Sequence, residues 1–170
     1  MEDKSLIQIA TSIIDYRDFI NAIIKERHKE KLIIFSEERD ILQLFRNANS
    51  TEEFVFRISA LKTLVTNLNE PLLRKITGIN DGKVKSISLL EIFLKGFKKF
   101  EEEPIATLKS INRLRQLYPI HGDNIGGVQE AHRKLNIEYP ILNPSEAWKK
   151  VLMHYQDSLK GILEIIRYER

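Results

Sequence analysis

Apolar side chains recur along this chain at three- and four-residue intervals, the repeat of a helix with one buried face. From Ser5 to about His28 they fall at Leu6, Ile9, Ile13, Tyr16, Ile20 and Ile23 or Ile24, which predicts a first long helix. The tetrad Leu32 to Phe35 is short enough for a strand, but Ser36 followed by Glu37 and Glu38 has the polar cap and acidic first turn of a helix start. The favoured reading is a helix from Ser36 to Asn47 that buries Ile41, Leu42 and Phe45. Asn49, Ser50 and Thr51 break the pattern. Thr51, with Glu52 and Glu53 behind it, is the expected cap of a helix burying Phe54, Ile58, Leu61, Leu64 and Leu68. Pro71 suits the first turn of a short helix ending near Gly78.

Asp81 and Gly82 mark the clearest mid-chain turn, within Gly78 to Lys85. Ser88 with Glu91 three residues on resembles a capping box, opening a helix that carries Leu89, Leu90, Ile92, Phe93, Leu94, Phe97 and Phe100. A helix apolar on so many sides is expected at the centre of a bundle. Lys95, Lys98 and Lys99 followed by Glu101, Glu102 and Glu103 read as a solvated helix surface. Pro104 kinks this helix or starts the next, in which Ile105, Leu108, Ile111 and Leu114 continue an apolar stripe. Pro119 disfavours helical geometry at Tyr118, so that helix ends near Leu117.

A short helix around Val128 to Leu135 and a loop from Glu138 to Asn143 follow. Asn143, Pro144 and Glu146 then supply cap, first-turn proline and acid for a final helix to about Tyr168. Trp148, Val151, Leu152, Tyr155, Leu159, Ile162, Leu163 and Ile166 line one side of it, so it should pack along the whole bundle. No internal repeat and no long linker divides the chain. The expectation is an all-α helical bundle formed as a single domain over residues 1–170.

Length agrees with one core, since a chain of 170 residues buries roughly 70 % of its unfolded surface without staples. Without cysteine there is no disulfide framework and no thiolate metal site, which fits the reducing interior of a cell. The start opens with acids and breaks its apolar run at Asp15, Arg17 and Asp18, unlike a signal peptide or membrane span. A cytoplasmic protein with no membrane contact is expected. Its net charge of +3, from 27 basic and 24 acidic residues, is far below that of a protein that coats nucleic acid. Local contact with a phosphate backbone is still open to it.

One stretch looks more like chemistry than packing: Ile111 to Gly127, with Arg115 near a predicted helix end and His121 just past Pro119. In an unbroken helix two residues six apart do not share a face, and the proline is what would let the imidazole swing toward the guanidinium. RNA cleavage by its own 2′-hydroxyl needs a group to take that proton and a cation to hold the charge growing on the phosphate. Histidine titrates near neutral pH, and arginine stays charged and offers a planar fork of donors. The ordinary explanation is that Arg113 and Arg115 simply answer the negative end of a helix dipole, and that the histidine bonds a loop carbonyl.

The segment from Arg115 to His121, an arginine and a histidine separated by five residues in an all-helical chain, resembles the signature of the HEPN superfamily. That resemblance implies a HEPN-like bundle over residues 51–168, with the helices of residues 1–49 as an N-terminal addition. It implies a metal-independent endoribonuclease of a toxin or antiviral-defence system, active as a homodimer in which two Arg–His pairs meet at one groove. Arg115 would stabilise phosphate charge and His121 would be general base or acid, with Asn112, Gln116 and Asp123 contacting the substrate. Gln116 stands where the family often has Asn, Asp or His. No cofactor and no metal enters this chemistry.

Other readings compete. The chain could be a non-catalytic helical module that dimerises and docks a nucleotidyltransferase or an antitoxin. His121, Asp123, His132 and His154 could be gathered as metal ligands, although no HExxH pattern supports it. The run from Gly122 to Gly127 lacks the ending of a phosphate loop and no strand precedes it. Tyr118, Tyr139, Trp148 and Tyr155 could stack on bases, but the spacing of the last two marks core positions.

Overall fold

The computed structural model describes residues 4–35, 37–118 and 124–168. Among these the regular structure is helical, apart from one isolated bridge between Ile33 and Leu68. The first helix, α1 (Leu6–His28), begins with a reciprocal box: Ser5 Oγ accepts from the Gln8 amide and Gln8 Oε1 accepts from the Ser5 amide. It stops where Lys29 turns left-handed at φ +66°.

The next element, α2 (Glu38–Gln43), is shorter than expected, and Ser36 lies outside the described residues. Its inward face also differs, because Leu42 and Phe45 are 53 % and 37 % exposed while Gln43 and Leu44 are buried. The reason is polar. Gln43 turns inward to accept a 2.7 Å hydrogen bond from Arg57 Nη1, a buried guanidinium that periodicity does not foresee.

α3 (Thr51–Thr66) is capped by Ser50, whose Oγ accepts from the Glu53 amide, so Thr51 is its first residue and not its cap. Leu68 falls beyond the helix, and the tetrad before Ser36 is an extended run carrying the single bridge. α4 (Glu70–Thr77) has the expected proline in its first turn and ends at Gly78, φ +72°. α5 (Ser86–Leu94) starts at Lys85 without a side-chain cap, so Ser88 sits inside the helix and makes no capping box. It stops at Leu94 instead of running on through Phe100.

α6 (Glu103–Gln116) carries Pro104 in its first turn and buries Ile105, Leu108, Ile111 and Leu114 as the stripe predicts. α7 (Ile125–Lys134) precedes α8 (Pro144–Arg167), where Asn143 Oδ1 accepts from the Glu146 amide. All eight stripe residues from Trp148 to Ile166 are buried. The central helix is therefore α8 and not α5; α1, α3, α5 and α6 all pack on it.

Directions follow from contacts at the helix ends. Arg27 near the end of α1 donates 2.7 Å to the Ile166 carbonyl near the end of α8, so these two run parallel. Ser145 Oγ donates to Asn47 Oδ1 and Trp148 Nε1 to the Arg46 carbonyl, which sets the start of α3 beside the start of α8. α6 runs the other way. Ser158 Oγ donates to the Pro104 carbonyl at its beginning, and Tyr118 just past its end meets the Phe54 ring at 6.3 Å.

Parallel neighbours need a long return connection, and residues 29–50 provide it. Buried Asn21 holds that return by accepting from the Leu32 and Ile33 amides and donating to the Ile33 carbonyl, all within 2.9 Å. One apolar cluster spans the whole arrangement, from Ile9 in α1 to Ile166 in α8, and α6 crosses it to deliver its last turn to the surface.

Candidate functional site

A helix end leaves its last four carbonyls without intrahelical partners. At the end of α6 the chain tightens, with the amides of Leu117 and Tyr118 reaching the carbonyls of Leu114 and Arg115 at 3.3 Å. Half-buried Arg115 then folds back and donates from Nη1 to the Tyr118 carbonyl at 2.7 Å. Its guanidinium serves the helix end through hydrogen-bond geometry as well as through charge.

Asn112 lies one turn earlier on the adjoining face, half-buried, and its Oδ1 is a buried acceptor with no hydrogen-bond partner among the described residues. Gln116 stands four residues after Asn112, exposed. The last turn of α6 thus brings Arg115, Asn112 and Gln116 onto one side. His121 and Asp123 lie outside the described residues, and so does the proline-released swing expected of the imidazole.

A different histidine meets this helix end. His132 in α7 is 1 % exposed, with Nε2 2.7 Å from Tyr118 Oη and Nδ1 2.9 Å from the Glu138 carbonyl. A carbonyl only accepts, so Nδ1 carries the proton, Nε2 of the neutral ring is an acceptor, and the Tyr118 hydroxyl donates to it. Burial lowers the His132 pKa, an effect only partly offset by the carbonyl bond, and burial pushes the Tyr118 phenol up to about 12. Tyr139 meets the imidazole edge-on at 5.3 Å. A signal for this hub is present in the sequence: His132 shares a stripe with Val128, Ala131 and Leu135, and a buried histidine needs a partner on each ring nitrogen.

Two surface depressions flank these elements. One, of about 490 Å³, is lined by Gln129, His132, Arg133, Glu138, Tyr139 and Lys150 among others. The second, of about 400 Å³, follows the outer face of α6 past Thr107, Lys109, Ser110 and Arg113 to Lys134. Its cations are largely answered, since Lys109 pairs with Glu91 at 2.6 Å and Lys134 with Glu130 at 3.2 Å. Lys109 and Lys95 together hold the Glu91 carboxyl below the usual range, tying α5 to α6.

Among the described residues no three His, Asp or Glu side chains gather as a metal site. Trp148 and Tyr155 are core, as their spacing predicts, and burial raises the Tyr155 phenol. Tyr118 is buried as well. No described helix is long and apolar enough to cross a membrane.

Fold and site together define an all-α helical bundle with a cationic, polar helix end at its surface. Compared with protein-family models, curated proteins and solved structures, the chain has no match.

Proposed function

We propose that this chain is a metal-independent endoribonuclease of HEPN type, working in the cytoplasm in a toxin or antiviral-defence setting. Arg115 holds the charge of the scissile phosphate and His121 moves the proton as general base, then acid. Asn112 and Gln116 orient the pair, and Asp123 contacts the substrate. Two protomers pool their pairs in one groove, and an antitoxin or nucleotidyltransferase covers it when activity must be silenced.

The observation that carries this reading is the condition of Arg115. Arg115 is half-buried and held by the Tyr118 carbonyl, so its guanidinium has a defined position at the helix end from which to meet a phosphate. A phosphate at this helix end would take the remaining donors of the guanidinium's planar fork. His121 follows six residues later in the chain.

Purified protein should cleave single-stranded RNA in EDTA, and Arg115→Ala and His121→Ala should each lower the rate about a hundredfold or more at unchanged helical signal. Full activity in either variant removes the catalytic pair, and loss of wild-type cleavage on adding EDTA favours a histidine–carboxylate metal site.

A second reading, a non-catalytic partner-binding module, draws on Leu42, Phe45 and Phe56, which are large apolar side chains left exposed on elements joined by the Gln43–Arg57 bond. No cleavage by wild type, together with weaker self-association in Phe56→Asp, would favour it.

A further inference from the structure

Tyr118 is bonded at both of its ends. Its carbonyl accepts from Arg115 Nη1 at 2.7 Å, and its hydroxyl donates to His132 Nε2 at the same distance. His132 is in turn moored by Nδ1 to the Glu138 carbonyl in the connection between α7 and α8. The Tyr118 ring is fixed laterally by Phe54 of α3, and the imidazole by Tyr139. The guanidinium in the last turn of α6 is therefore linked, through one residue, to a buried imidazole on another helix.

We propose that Tyr118 and His132 form a positioning relay for Arg115, in which a neutral imidazole accepts the Tyr118 hydroxyl and so sets the backbone that aims the guanidinium. The proposal rests on the reading of Arg115 as a phosphate ligand for its use, but the relay itself is a structural claim that stands or falls without RNA. Neither relay residue touches the substrate.

The chemistry gives the relay a direction. If the ring takes a second proton, Nε2 becomes a donor and the bond persists only in reverse, with the Tyr118 oxygen accepting, so the hydroxyl must rotate and its buried O–H is left to find another acceptor. The surroundings disfavour that second proton. Tyr118 from the end of α6, the Glu138 carbonyl and the Tyr139 ring touch the imidazole, while Arg133 on its own helix, the Glu138 side chain and Lys150 from α8 line the depression beside it. Burial acts against the charged ring, and the bond to the Glu138 carbonyl offsets this only in part. Arg115 is thus held in place at neutral pH and loosened in acid.

The test follows the Arg115 Nε–H signal by NMR, with hydrogen exchange of the Leu117 and Tyr118 amides, in the intact chain without RNA. Tyr118→Phe keeps the ring and its packing on Phe54 but removes the hydroxyl. It should shift the Arg115 signal at neutral pH and speed exchange of those amides about tenfold, the size expected for one lost buried hydrogen bond. His132→Gln keeps an acceptor for the hydroxyl and has no second proton to take; its Arg115 signal should stay near the wild-type position and not move with acid. Wild-type Arg115 and imidazole signals should move together as pH falls.

An Arg115 signal and amide exchange unchanged in Tyr118→Phe would overturn the relay, whatever the imidazole does. A wild type that shows this coupling yet never cleaves RNA would keep the relay and remove the ribonuclease reading.

Discussion

His132 is buried where a neutral ring satisfies both of its neighbours, and burial holds its pKa below that of the unfolded chain. The unfolded state therefore takes the proton first as pH falls. The stability due to this group is complete above the unfolded value, near 6.5, and is lost as pH drops toward the lowered folded value, with a slope of at most about 1.4 kcal/mol per pH unit. Urea denaturation at pH 8, 6.5 and 5 should show the decline, and His132→Gln should flatten it. An equally steep decline in that variant would assign the effect to other groups. Asn21 makes the second residue-scale prediction. Asn21→Leu strands two buried amides and one carbonyl of the 32–33 turn, and should destabilise the fold by about 3 kcal/mol or more in the same assay. The burial of His132 was legible from its stripe, but the partners of neither residue were, because they are groups that only folding brings within 3 Å.

Among the elements, the α6–α8 crossing has the least room. A Cβ on Gly161 would come within 2.5 Å of Pro104 Cγ, and a proline ring in a first helical turn has little freedom to retreat. Gly161→Ala should therefore destabilise the protein by about 1–3 kcal/mol and weaken the neighbouring Ser158-to-Pro104 hydrogen bond. Adding Pro104→Ala should recover much of the loss, and a double-mutant cycle with no such coupling would show that the contact is relieved elsewhere. The positions of α1, α3, α4, α6 and α8 were legible, because long apolar stripes, Pro71, Pro104 and the Asn143 cap all act within the helix that carries them. The limits of α2 and α5 were not. Leu42 and Phe45 have the spacing of a buried face, yet Gln43 takes the inward place to meet Arg57, a partner fourteen residues away. Ser88 and Glu91 have the spacing of a capping box, but Glu91 instead answers Lys95 and Lys109.

For the molecule as a whole, the decisive feature is that one apolar cluster joins α1 to the helices from α3 onward. Trp148, the only tryptophan, is fully buried in it and hydrogen-bonded to the return connection at Arg46. Its fluorescence and the far-ultraviolet helical signal should therefore lose their native values in one coincident urea transition. A separate early loss of helix, with the tryptophan signal unchanged, would instead mark residues 1–49 as an independent addition.

The sequence by itself determined that the chain is helical, where most helices lie, and which faces the long ones bury, because those properties come from the local repeat of apolar residues and from caps within a few residues of each end. It also singled out Arg115, since a cation at a helix end is a local feature. Only the tertiary structure decided that α8 is the central helix, that α1, α3 and α8 run parallel, and that His132 reaches Tyr118 at the end of α6. Those outcomes rest on hydrogen bonds and packing between residues far apart in the chain, which no local repeat encodes.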